Sequence, residues 1–278
     1  MLTHPGPADP IRILDTPCHA HRLDLTLKSG RPLHEAIVQA VHRAGFYAAW
    51  LWVAEAHCDQ LSYVIPGPPP GDGRVAFYSD TYVLRPQEDT LPCIAAMGLH
   101  LGKGADGADI HAHGLWTDAQ SRTHMGHLRA EQTYLARDVQ ITGWGIDGAI
   151  FQRVPDPETG FDLFTPRRTE LTHSGGQPAR LLRLRPHLDL ASTLGGLIAP
   201  HSTVMGLGSL IGAQFLGAPS LPPPATEIVI LEHAAPRLRI AAVARDGSPR
   251  QGWLSGENPI CITAELLAVD PPPRHSSA

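Results

Sequence analysis

The chain has 278 residues, 42% of them hydrophobic, enough for one large domain or two of ordinary size with a core each. Acidic residues outnumber basic ones 27 to 22, for a net charge of −5, and there is no long Lys/Arg run. This balance disfavours duplex DNA as a partner, because DNA-binding surfaces are normally basic.

No stretch reaches the ~18 apolar residues of a membrane span. The N-terminus has neither the basic start nor the apolar core of a signal peptide. The four cysteines, Cys18, Cys58, Cys93 and Cys261, form no Cys-x-x-Cys pair. A soluble, cytoplasmic protein with reduced thiols is expected.

In chain order, residues 1–17 read as an N-terminal extension. His21 to Leu27 alternates as a half-buried strand does. Leu33, Ile37, Val38 and Val41 then fall at helical spacing, and Gly45 ends the helix. Phe46 to Ala54 is an apolar run suited to a buried strand. Pro66 to Pro70 is proline-rich and reads as a loop. Ile94 to Leu101, Ile110 to Trp116 and Thr133 to Ile141 supply further strand patterns.

Residues 155–178 are polar, carry Ser174-Gly175-Gly176 and read as a linker. After it, Ala179 to Arg185 alternates again. Asp189 can cap a helix carrying Leu190, Leu194 and Leu197, stopped by Pro200. Val204 to Phe215, Glu227 to Leu231, Leu238 to Ala244 and Ile260 to Val269 then repeat the order of the first half. The expectation is a duplicated α+β unit: two similar domains, 18–154 and 179–269, each a mainly antiparallel sheet with one or two packed helices. Residues 270–278 read as a disordered tail.

The chemistry concentrates at His111-x-His113. Residues i and i+2 of a strand share a face, so both imidazoles can reach one ion. With sixteen histidines in the chain the pattern is weak alone, and His19-x-His21 is a second instance. His127 strengthens the first pair, because a hairpin through Asp118 and Ser121 would return it beside them. Three protein ligands with an open position suit a catalytic zinc, although iron, manganese and nickel also accept imidazole. Aligning the halves places Ala241, Val243 and Trp253 opposite His111, His113 and His127, as if the second half had lost its ligands together.

Ile110-His-Ala-His-Gly, Asp118 and Gly126-His127-Leu128 resemble the core of the plant and prokaryote conserved (PPC, or DUF296) domain. So do Leu25 to Gly45, Ala49 to Val53 and Met97-Gly-Leu-His-Leu. Thr226-Glu-Ile-Val-Ile, Asp246-Gly and Gly252-Trp-Leu carry the resemblance into the second half, so that it covers most of 18–270. It implies a compact α+β fold, commonly trimeric, with a metal on His111, His113 and His127 in the manner of bacterial members. Plant members add a basic AT-hook segment, which this sequence lacks, and Pro66 to Pro86 departs from a minimal family domain as a proline-rich insertion, read as a lid or an interface.

Other residues have milder readings. Glu55, Tyr78, Asp80 and Arg129 are weak catalytic candidates, with His57, Tyr82 and Arg85 beside them, and Arg122 or Arg129 could orient a carboxylate. His124 is a possible fourth ligand or a turn histidine, and His100 suits a hydrogen-bonded core position. Trp144, Thr159, Gly160 and Phe161 suit a domain junction. Neither a phosphate-binding Gly-rich loop nor a Gly-x-Ser-x-Gly elbow occurs. Three readings follow. The chain is a metal-dependent hydrolase, hydratase/lyase or isomerase on a small polar or carboxylate substrate, a DNA-binding regulatory protein, or a non-catalytic oligomeric binding module.

Overall fold

The computed structural model describes residues 2–271. The first half runs β1 (Ile13–Leu27), α1 (Leu33–Arg43), β2 (Ala49–Val64), β3 (Pro66–Gly67), β4 (Phe77–Tyr78) and β5 (Tyr82–Leu84). It continues with β6 (Cys93–Lys103), β7 (Ala108–Thr117), β8 (Thr123–Leu128), β9 (Tyr134–Leu135) and β10 (Val139–Asp147). A hairpin of β11 (Ala149–Asp156) and β12 (Phe161–Arg168) leads into β13 (Gln177–Leu184), α2 (Leu190–Leu197), β14 (Thr203–Leu210), β15 (Ala213–Phe215) and β16 (Ala218–Leu221). The last strands are β17 (Thr226–Ala234), β18 (Arg237–Val243), β19 (Pro249–Trp253) and β20 (Ile260–Val269).

The α+β class, with two similar sheet-and-helix domains, is not what the chain adopts. Sixteen strands join in one sheet, and the described residues include two α-helices. The cause is β1. Its N-terminal part pairs with β13 (Ile13 with Leu184) and its C-terminal part with β10 (Leu27 with Val139), so one strand belongs to both halves. The alternating pattern begins at Ile13, inside what the sequence suggests is an extension. The expected linker likewise contains β12.

Within the sheet, β1-β10-β2-β6-β7-β8 pair antiparallel in that order. The second half follows the same order as β13-β20-β14-β17-β18-β19. The long β2 breaks its ladder at Glu55, whose φ of 55° lies in the left-handed region. Its far end pairs with β8 (Val64 with His127), closing β2, β6, β7 and β8 into a ring. At that closure Gly126 lets two strands approach, since a Cβ there would lie 2.2 Å from the Val64 carbonyl oxygen.

Parity decides how the halves pack. On the second-half strands Leu182, Ile228, Ile230 and Leu266 turn toward α2 and join Leu190 and Leu194 in a core of their own. The alternate residues Leu181, Leu207, Val229 and Leu267 turn the other way and join the first half's core with Trp50, Met97 and Leu99. Helix α1 buries Leu33, Ile37 and Val41 there. On α2 the Asp189 side chain accepts the Ser192 amide at 2.8 Å, the cap its position suggests. Asp270 is tied by its amide to the Pro178 carbonyl, while 272–278 of the expected tail lie outside the described residues.

Candidate metal centre

β7 and β8 form a hairpin in which His113 stands directly opposite His127. His111 lies two residues before His113 and shares its face. The three rings converge, with one nitrogen of each within 4.8 Å of the others. His111 and His113 are buried and His127 is half-buried, with its Nδ1 shut off from solvent and without a partner.

The second half supplies what holds them. The His111 Nδ1 donates to Glu265 Oε2 at 2.6 Å, and the His113 Nδ1 donates to the Ile228 carbonyl at 2.9 Å. Both partners are acceptors, which places a proton on each Nδ1 and, in the neutral rings, leaves each Nε2 bare. Those two Nε2 atoms lie 3.2 Å apart. Two lone pairs at that distance repel unless a proton or a cation stands between them. Tetrahedral zinc with nitrogens at ~2.05 Å spaces its ligands about 3.3 Å apart, close to the observed separation. The donor set therefore fits a divalent ion, and Glu265 and the Ile228 carbonyl complete the outer layer that orients metal-binding imidazoles.

The electrostatics agree. Burial, and then the neighbouring His111, hold the His113 imidazole well below its usual range. Burial, and then His111, His113, Arg153 and Arg129, do the same to His127. These rings are neutral at pH 7, the state a metal ligand needs. Burial pushes the Glu265 carboxyl upward, but the charge and hydrogen bond of His111 outweigh it, and the group sits below the usual range.

A cavity of about 70 Å3 opens beside the histidines, with His111, His113, Tyr78, Phe161, Glu227 and Thr263 in its wall. Tyr78 comes from the proline-rich insertion, whose β3–β4 pairing folds it over the site, and its ring stands edge-on to His127 at 5.2 Å. Burial, and then the Glu227 charge, push its hydroxyl above the usual phenol range. Glu227 is buried. Burial pushes its carboxyl up to about 8, against a hydrogen bond from the His127 amide, so it holds a proton at neutral pH.

The remaining candidates fall elsewhere. Glu55 is exposed, at the break in β2, and its charge acts on Cys93. Asp80 is exposed, and its carbonyl accepts from Ser79. His57 is held by Arg137 at 3.1 Å. Arg129 acts on His127 and Tyr78 through its charge, whereas Arg122 is bound to Asp118 at 2.7 Å. His124 is no fourth ligand: three residues before His127, it joins Asp118 at 2.9 Å and Tyr63 at 3.2 Å. His100 is the core histidine its setting suggests, bonded to the Glu265 carbonyl at 3.0 Å and edge-on to Trp50.

The hairpin register also corrects the alignment of the halves. Trp253 pairs with Arg239, as His127 pairs with His113, so the counterparts of His113 and His111 are Arg239 and Arg237 rather than Val243 and Ala241. In that half Arg237 lies over the Trp253 ring at 4.8 Å. Glu227, Ile228 and Glu265 escape a reading by local pattern. Their signal is a carboxylate inside each of two apolar runs, Thr226 to Leu231 and Ile260 to Val269.

No protein-family model matches the chain, and no curated protein matches it. Solved structures similar to it include a plant- and prokaryote-conserved (PPC) protein from Pyrococcus horikoshii, 13% identical, covering 55% of this chain and 96% of that one at a TM-score of 0.40. A metal-containing protein from Archaeoglobus fulgidus is 18% identical over 53% of this chain and 94% of its own, at a TM-score of 0.39. A candidate DNA-binding protein from Ralstonia eutropha is 14% identical over 55% of this chain and 89% of its own, at 0.38.

Proposed function

We propose that the chain holds one divalent metal ion, zinc, on His111, His113 and His127. We further propose that it uses this ion to act on a small polar or carboxylate-bearing molecule by hydrolytic, hydration/lyase or isomerase chemistry. The observation that carries the reading is the pair of bare Nε2 atoms 3.2 Å apart, each fixed by an acceptor on the far ring nitrogen.

Bound there, the ion would lower the pKa of a coordinated water or polarise a carbonyl oxygen. The chain's own groups do the rest. Glu265 and the Ile228 carbonyl fix the orientation and tautomer of two imidazoles. Tyr78 and Phe161 shield one side of the cavity from water. Glu227 holds a proton beside it at neutral pH and can give that proton to a substrate oxygen. Arg153, paired with Asp109, and Arg129 place positive charge near His127, which favours an anionic substrate.

The common strand order of the halves supports an internal duplication, with units at 18–154 and 179–269, in which the second copy has become the wall of the first copy's site. A trimer in the cytoplasm is the assembly and location that accompany this reading.

The test is elemental analysis of the purified chain beside His111→Ala and His127→Ala. About one zinc per chain in the parent, and almost none in both variants, is the expected result. Metal retained by both variants, or tight binding of duplex DNA at low salt with no metal in the parent, overturns the reading.

A further inference from the structure

The cavity beside the histidines has more polar equipment than an ion requires. Glu227 and Thr263 line it, 7% and 3% exposed, and Glu227 Oε2 and Thr263 Oγ1 are buried without a hydrogen-bond partner. Burying an unpaired carboxyl or hydroxyl is costly, so such atoms persist in a wall where something else satisfies them. Both sit on the second-half strands β17 and β20, opposite the histidine hairpin. Much of the remaining lining, with Ala76, Phe77, Leu163 and Ile262, is apolar, and Ser209 Oγ already accepts the Ile262 amide at 3.0 Å. A volume of about 70 Å3 has room for on the order of five waters, or a ligand with a similar number of heavy atoms.

From this arrangement we infer that Glu227 and Thr263 anchor the far end of a small two-ended ligand whose near end lies at the histidines. This rests on the reading of those histidines as the metal site and names the substrate class. The ligand presents an oxygen to the ion and, across a short carbon body, a hydroxyl, amide or carbonyl group to Glu227 and Thr263. A carboxyl with a free oxygen serves such a group by accepting from it or donating to it, and the Thr263 hydroxyl can do the same. The largely apolar lining disfavours multiply charged molecules, whose extra charges would be buried without a partner. The site is thus built from both halves: ion ligands from one, ligand anchors from the other.

3-Hydroxypropionate, a six-heavy-atom molecule with a metal-binding carboxylate at one end and a hydroxyl across two methylenes, is the probe. It is titrated into the full chain loaded with Co(II), and binding is read from visible absorption. The parent, Glu227→Leu, Glu227→Gln and Thr263→Val are compared, with Co(II) affinity and melting temperature measured for each. Glu227→Leu weakens the probe about tenfold or more and Thr263→Val about threefold, the loss expected for one buried hydrogen bond, while Glu227→Gln stays close to the parent. Co(II) affinity is unchanged in Glu227→Gln and Thr263→Val, while Glu227→Leu, which also takes the acceptor from the His127 amide, is read as probe affinity relative to its own Co(II) occupancy.

Probe affinity unchanged in Glu227→Leu and Thr263→Val overturns the inference. So does a parent that binds Co(II) at the histidines but not 3-hydroxypropionate. A parent that fails to bind Co(II) there overturns the metal reading and this one with it. Should Glu227→Leu not fold, Thr263→Val decides the matter.

Discussion

His111 and Glu265 stand 154 positions apart in the chain, yet the imidazole Nδ1 of one lies 2.6 Å from the carboxylate Oε2 of the other, both buried. This pair joins the two halves at the histidine site and fixes which nitrogen of His111 is free. Removing the carboxylate with Glu265→Ala leaves a buried Nδ1–H unpaired and frees the ring to turn. Zinc affinity falls 10- to 100-fold, the usual cost of losing an outer partner, and stability falls by about 1–3 kcal/mol. Competition against a chromophoric chelator and a urea melt measure the two effects. Unaltered zinc affinity would show that Glu265 does not orient the ring.

Gly126→Ala tests the closure of the ring of strands. The new methyl group meets the Val64 carbonyl oxygen at 2.2 Å, so β8 must move away from β2 and take His127 with it. A loss of several kcal/mol in stability and a drop in metal content are expected. Gly247→Ala is the contrasting control. Its site offers room, the nearest contact being 3.5 Å away, but a φ of 75° makes its penalty a local backbone one of about 1 kcal/mol that leaves metal content alone.

Stability of the metal-free protein should depend on pH through His100. Burial lowers this imidazole from 6.5 to about 4. Between those values the unfolded chain binds a proton that the folded one does not, so stability rises with pH across this window. His100 therefore contributes fully above pH 6.5, and its contribution is lost as pH falls toward 4, a loss of ~3 kcal/mol at most. His113 and His127, shifted in the same direction, steepen the slope. Urea midpoints from pH 4 to 7.5 record it, and His100→Leu should flatten it without abolishing it. An equally steep slope in that variant would remove His100 as a source.

Tyr78→Ala uncovers His127. The ring lies edge-on at 5.2 Å and belongs to the short β3–β4 pairing, well away from the main core. EDTA should then strip the metal several-fold faster, with the melting temperature shifted only slightly, and Tyr78→Phe should behave as the parent does. Equal stripping rates in all three would show that the insertion does not cover the site.

The histidine hairpin was legible because its geometry is local. A strand places His111 and His113 on one face, and a five-residue connection from Thr117 to Thr123 returns His127 to the same level. Helix α1 and the Asp189 cap were legible for the same reason, being set by neighbours in sequence. The class of the fold was not. Whether two runs of strand become two sheets or one depends on which partners β1 chooses, and no residue of Ile13–Leu27 announces that both of its ends will be used. Glu227, Ile228 and Glu265 were hidden by separation, since their partners lie a hundred or more residues away. Glu55 and Asp80 misled because a carboxylate near a strand end reads alike whether it faces a site or water.

That shared strand bears on how the molecule comes apart. Opening either half would strip one end of β1 of its neighbour and expose a row of unpaired amides and carbonyls beside apolar surface, as well as uncovering Leu207, Val229 and Leu267. A partly melted chain is therefore a sticky one. Heat or denaturant should dismantle the two halves together, and a break placed within Ile13–Leu27 would cost both of them at once.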